Sequence, residues 1–219
     1  MKTILVTGAS RGIGKALAMK FLAEGYFVIG TSTSGNNGIK NSNFTNFQLD
    51  FSNAESIQDC AKKIVSVNKK IDIFINNAGV WLEGDDQPNI NVAVLREMLE
   101  INLIGPIDFT EQLLSLINEG GHIINISSRR ASFEYNKDES LYPDYTISKT
   151  ALNMFSKTLA NRLKGKIIVS AVHPGFVQTD MNEGGGDITA EEAAQDIYLV
   201  AVSEVETGQF WFKGEKYPW

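Results

Sequence analysis

The stretch Thr7-Gly8-Ala9-Ser10-Arg11-Gly12-Ile13-Gly14 decides how the rest of this chain is read. A short apolar run, Ile4-Leu5-Val6, stands before it. Lys15 to Glu24 follows, with Ala16, Leu17, Phe21 and Leu22 at helical spacing. The order is strand, glycine turn, helix. Gly8 lets the chain turn tightly, and Gly12 and Gly14 are expected to leave a diphosphate room against bare backbone. The start of the helix offers that anion unpaired N–H groups and a partial positive charge. A purely structural glycine turn is the competing explanation, and the strand before and helix after weigh against it.

The totals bound the rest. A chain of 219 residues, 43% hydrophobic, buries a full core and fits one α/β domain over residues 1–219. A net charge of −6 and a pI near 5.0 argue against a nucleic-acid or anionic-membrane partner. No run has the length of a signal peptide's apolar region or of a bilayer span, so a cytoplasmic location is expected. Cys60 is the only cysteine and is expected to be a packed thiol. His122 and His173 have no cysteine cluster near them, so no metal site is expected.

Outward from the glycine turn, strands and helices alternate. Strands are expected over 26–30, 44–49, 71–75, 122–126, 166–172 and 208–212, with helices over 54–67, 92–119 and from Tyr145 through Leu159. Gly105-Pro106 should kink the long helix near Ile101 to Leu103, where Asn102 sits. Thr189 and Glu192 form a capping box for the last helix. The fold class is therefore α/β: a doubly wound, mainly parallel sheet of about seven strands flanked by helices, a Rossmann fold. The polar loop at 31–38 and two further loops, near 129–144 and 181–188, are left outside it. The segment 182–187 reads as a mobile lid, and the two loops as the substrate mouth. Arg129 and Arg130 are expected to be solvated rather than to hold an acidic substrate, and His173 to be structural.

Several polar residues fall at strand ends. Ser127 and Ser128 end one strand, and alternation lets only one of them face the cleft without saying which. Tyr145 and Lys149 stand four apart on a helix, which makes them neighbours. Tyr145 is the only tyrosine with a lysine at that spacing, since Tyr135 is followed by Glu139 and Tyr142 by Thr146. A free tyrosine has a pKa of about 10, and a nearby ammonium lowers it toward neutral pH.

The pattern T-G-x-x-x-G-x-G, with Asn76-Asn77-Ala78-Gly79, Asn125-Ile126-Ser127-Ser128 and Tyr145-x-x-x-Lys149 in this order, resembles the short-chain dehydrogenase/reductase family. The ending Tyr217-Pro218-Trp219 is similar to that of its sniffer-like and C-factor-like carbonyl reductases. The resemblance implies catalytic roles for Asn102, Ser128, Tyr145 and Lys149. It points to Ser128 rather than Ser127, and has Asn102 hold a water that connects to the lysine. It implies cofactor contacts from Gly8, Ser10, Arg11, Gly12, Ile13 and Gly14, and from Thr33 in the loop after the second strand. Asp50 and Phe51 match the pair that meets the adenine, although Asp50 could instead serve the next helix start alone. Asn77, Ala78 and Gly79, Tyr145 and Lys149, and the Pro174, Gly175, Val177 and Thr179 loop match the nicotinamide end. Tyr145 stands seventeen positions after Ser128, which makes a longer loop than many members carry.

NAD-dependent members carry Asp where this chain has Ser32. A hydroxyl-rich loop with Arg11 nearby suits a 2′-phosphate instead, so NADP(H) is expected over NAD(H), with a solvated Arg11 as the alternative. The implied activity is reversible hydride transfer that reduces a carbonyl compound to an alcohol. The alternatives are a β-ketoacyl carrier-protein reductase, suggested by Gly30-Thr31-Ser32-Thr33-Ser34, and a non-catalytic NADP(H)-sensing regulator. The expected partner is a small carbonyl or alcohol substrate, with a homodimer or homotetramer open.

Overall fold

Strand alternation sets the architecture. In β1 (Thr3–Val6) the side chains of Ile4 and Val6 enter one apolar core and that of Leu5 enters another. A strand apolar on both faces belongs inside a sheet covered on both sides. The computed structural model describes residues 1–82, 88–137 and 140–219. Beside β1 lie β2 (Phe27–Ser32) and then β3 (Phe44–Gln48). On its other side follow β4 (Ile71–Asn76), β5 (Ile117–Ile126), β6 (Ile168–Val172) and β7 (Gln209–Phe212), all parallel. An antiparallel β8 (Glu215–Lys216) closes that edge.

The α-helices are α1 (Gly12–Ala23), α2 (Ala54–Ser66), α3 (Val92–Leu99), α4 (Gly105–Leu113), α5 (Pro143–Arg162) and α6 (Ala190–Val202). Leu17 and Phe21 of α1 and Ile197 and Val200 of α6 pack on one face of the sheet, against Ile4, Val6 and Ile75. On the other face Ile57 and Ile64 of α2, Phe109 and Leu113 of α4 and Leu159 of α5 cover Leu5, Phe74 and Ile123. Each such side chain contributes about 1.5–3 kcal/mol through burial. The packing holds the C-terminal ends of the central strands level, and the site lies there.

Several boundaries differ from expectation. α1 begins at Gly12, three residues early, and β2 runs on through Thr31 and Ser32, which were expected in a loop. The helix expected over 92–119 is α3, a π-helical turn (Glu100–Ile104), α4 and a 3-10 turn (Leu114–Leu116), and the chain enters β5 already at Ile117. Pro106 has no N–H for the carbonyl of Asn102 four residues earlier, and the wide turn falls there. α5 starts at Pro143 rather than Tyr145, with Pro near its first position and Tyr142 before it in the left-handed region (φ 58°). The lid segment is tied down: Gln178 N donates to Ile188 O (2.9 Å), Asp187 N to Phe176 O (2.7 Å), and Asp180–Asn182 forms a 3-10 turn. Residues 138 and 139 of the expected mouth loop lie outside the described residues.

Candidate active site

The strand order reverses between β1 and β4, and a cavity of about 450 Å³ opens above the strand ends there. Every residue expected to touch the cofactor lines it, and so does each expected catalytic residue except Asn102.

Its floor is the contact between the two glycine motifs. Thr7 is buried, and its Oγ1 accepts the backbone N–H groups of Asn77 and Ala78, both at 3.0 Å. The Asn77 amide donates back to Thr7 O at 2.9 Å. Gly14 lines the cavity as well, and a Cβ on it would lie 2.2 Å from Gly8 O and 2.5 Å from Asn77 Nδ2, so its bareness also serves helix–strand packing. Gly12 is the open one: its φ is +51° and a Cβ would meet Thr179 at 3.3 Å across the cavity. α1 has no side-chain cap and no acid in its first turn, so its leading N–H groups are left to an anion.

At the outer end Arg11 and Asp180 form an exposed ion pair at 3.4 Å. Ser32 is buried and turned inward: its Oγ donates to Asn36 O (3.2 Å) and accepts from Asn46 Nδ2 (3.1 Å), which leaves Thr33 at the rim. Asp50 Oδ1 accepts from Ser52 N and Oγ, at 2.9 and 2.7 Å. Asn53, not Asp50, caps α2.

At the inner end Lys149 is buried, its Nζ donating to Ile126 O at 3.0 Å and standing 5.8 Å from the centre of the Tyr145 ring. Burial pushes its pKa down to about 8. Tyr145 stacks on Trp81 (5.4 Å, 21°), and Trp81 meets Tyr142 edge-on (4.8 Å, 87°). Ser128 is half-buried and its Oγ accepts from Arg130 N at 3.2 Å. Ser127 is buried, with no hydrogen-bond partner for its Oγ among the described residues. Both serines line the cavity.

Asn102 lies one layer behind. Its Oδ1 accepts from Val80 N (2.8 Å), and its Nδ2 donates to Val80 O (2.9 Å) and Ser148 Oγ (3.2 Å). A Cβ on Gly79 would stand 3.0 Å from Asn102 Oδ1 and 3.4 Å from Lys149 Nζ, so both groups face one gap that only glycine leaves open. Beneath runs a buried chain of amides and hydroxyls. Asn76 donates to Thr110 (3.0 Å) and Asn125 (2.9 Å), and Asn125 donates to Ser156 (2.8 Å), which ties β4, β5, α4 and α5 together.

His173 stacks on Phe212 (4.6 Å, 23°) and its Nδ1 accepts from Gly175 N at 3.3 Å. Burial first, then the charge of Arg129, push its pKa down to about 4. The two arginines are not solvated as expected. Both line the cavity over aromatic rings, Arg130 at 4.5 Å from Tyr142 and Arg129 at 5.0 Å from Tyr135. Tyr142 lies in the loop expected to form the substrate mouth, whereas Phe176 has no local signal that would mark it as a cavity wall.

A glycine turn, an uncapped helix start and a tyrosine–lysine pair at the switch point of a doubly wound sheet define a dinucleotide-binding α/β protein. Residues 2–189 match the model of the short chain dehydrogenase family, and the chain belongs to that family. The chain is 34% identical over 197 residues to the 3-oxoacyl-acyl-carrier-protein reductase of Aquifex aeolicus, covering 82% of this chain and 75% of that one. NADPH-bound carbonyl reductase from chicken fatty liver superposes with a TM-score of 0.89 at 25% identity, covering 100% of this chain and 99% of the other. The carbonyl reductase Sniffer of D. melanogaster shares the fold (TM-score 0.88, 24% identity, 100% of both chains). The chain is thus an NAD(P)-dependent oxidoreductase acting on CH–OH or C=O groups. Among the described residues no helix is long and apolar enough to cross a membrane, and no group of residues could hold a metal ion.

Proposed function

We propose that this chain is an NADP(H)-preferring reductase of small to medium carbonyl compounds, with Tyr145 as proton donor. The observation that carries the reading is the buried Lys149 ammonium 5.8 Å from the Tyr145 ring. Holding a cation out of water is costly, and a lysine so placed stabilises a phenolate beside it. Bound NADPH supplies hydride. Tyr145 gives its proton to the carbonyl oxygen as negative charge grows there, and Ser128 holds that oxygen with a hydroxyl hydrogen bond. Lys149 keeps Tyr145 acidic and passes on the replacement proton, which reaches it from a water held by Asn102 at the gap beside Gly79. Arg11 and Thr33 at the outer rim suit a 2′-phosphate, and no acid stands at Ser32 to hold a ribose 2′-hydroxyl.

A β-ketoacyl carrier-protein reductase is the second reading, favoured by the likeness to the Aquifex aeolicus enzyme. NADPH oxidation by the purified protein across aldehydes, ketones, quinones and ketoacyl thioesters separates the two. Turnover of free carbonyls above the thioesters is expected, and the reverse order would favour the second reading. Tight NADPH binding with no turnover on any of them would make the chain a cofactor sensor.

A further inference from the structure

Among the described residues four cationic side chains, Arg11, Arg129, Arg130 and Lys149, line the cavity against two carboxylates, Asp50 and Asp180, in a chain of net charge −6. Three of the cations are occupied. Arg11 pairs with Asp180, Lys149 bonds Ile126 O, and Arg130 donates to Leu141 O at 3.1 Å. Arg129 differs. Among the described residues its guanidinium makes no hydrogen bond and no ion pair. Tyr135 (5.0 Å) and Phe176 (5.9 Å) hold it by their rings, and its charge reaches His173 and Tyr217. Aromatic faces fix the plane of a guanidinium but take none of its N–H donors, so the fork is oriented and open.

Position adds direction. Arg129 opens the 3-10 turn Arg129–Ala131 directly after Ser128, whose hydroxyl caps that turn. The cation thus stands one residue from the group read above as the carbonyl holder. We propose that Arg129 is a substrate-recognition residue that binds the carboxylate of an oxo acid while its carbonyl lies at Ser128 and Tyr145. This rests on the reductase reading for the carbonyl, but not for the anion. A carboxylate, ionised well below neutral pH, matches the planar fork with two parallel charge-assisted hydrogen bonds. Phe176, Trp81 and Tyr142 then wall the remaining carbon chain.

The test compares 2-, 3- and 4-oxopentanoate with their methyl esters, on wild type, Arg129→Gln and Arg129→Lys, with NADPH saturating. At least one acid should exceed its ester in kcat/KM, and Arg129→Gln should lower that acid-to-ester ratio at least about tenfold, with Arg129→Lys between. Reading a ratio on one preparation removes any effect of partial misfolding. Esters matching or exceeding all three acids in wild type, or a ratio that Arg129→Gln leaves unchanged, would overturn the proposal. If nothing turns over, calorimetry of the same acids with the NADPH-saturated protein decides. Binding lost in Arg129→Gln keeps the anion site and ends the reductase reading. No binding, or binding the variant leaves unaltered, ends the anion site.

Discussion

Lys149 stands 5.8 Å from the centre of the Tyr145 ring with its ammonium bonded to the carbonyl of Ile126, so β5 fixes the distance between two side chains of α5. Because burial brings its pKa to about 8, Lys149 loses its charge just above neutral pH. The reduction rate should fall as pH rises through about 8. Lys149→Met should lose about 10²-fold or more in turnover and the alkaline limb with it. The stability sign is opposite. Between about 8 and the ordinary 10.5 the unfolded chain holds a proton that the folded chain has released, so stability rises with pH across that window. Turnover and denaturation profiles over pH 6–11 check both.

Gly14→Ala separates packing from cofactor contact. The added Cβ would strike Gly8 O at 2.2 Å, so either backbone moves or the helix shifts. The expected cost is about 1–3 kcal/mol or more, several degrees in Tm. A variant that melts as wild type but binds NADPH weakly would show that the bareness of Gly14 serves the cofactor and not the packing.

The Arg11–Asp180 pair sets two anions against one cation once a 2′-phosphate arrives. Arg11→Ala should weaken NADPH binding about tenfold and leave NADH nearly unchanged. Asp180→Asn should tighten NADPH a few-fold, since an exposed pair contributes about 0–1 kcal/mol. Dissociation constants from cofactor fluorescence measure all three.

Asn102→Ala strands the N–H and C=O of Val80, which Asn102 bonds from both ends. A loss of about 1–3 kcal/mol in denaturant unfolding is expected. Turnover should fall further than stability explains, because the same amide faces Lys149 beside Gly79.

Motifs with a local cause were legible. The glycine turn and the Tyr145–Lys149 pair follow from spacing and Asn77 to Gly79 from the family resemblance, and each lines one cavity. Some misses had signals. Lys213-Gly214, both at positive φ (50° and 78°), is the two-residue turn that makes β8, and Pro143 marks the true start of α5. Ile117–Glu119 falls within the helix expected over 92–119, whereas Ile117 pairs with Ile71 of β4 and a register shift carries the strand on to His122. Others had none. Ser127 and Ser128 are told apart by contacts, and Arg129 and Arg130 by partners contributed from distant loops, which no local pattern encodes.

In the proposed reduction Tyr145 delivers the proton. Tyr145→Phe removes one hydroxyl oxygen and keeps the ring that stacks on Trp81. Its NADPH dissociation constant should match wild type while carbonyl reduction falls by at least about 10²-fold. Reduction at an undiminished rate, with NADPH still bound, would place the proton donor elsewhere and contradict the account.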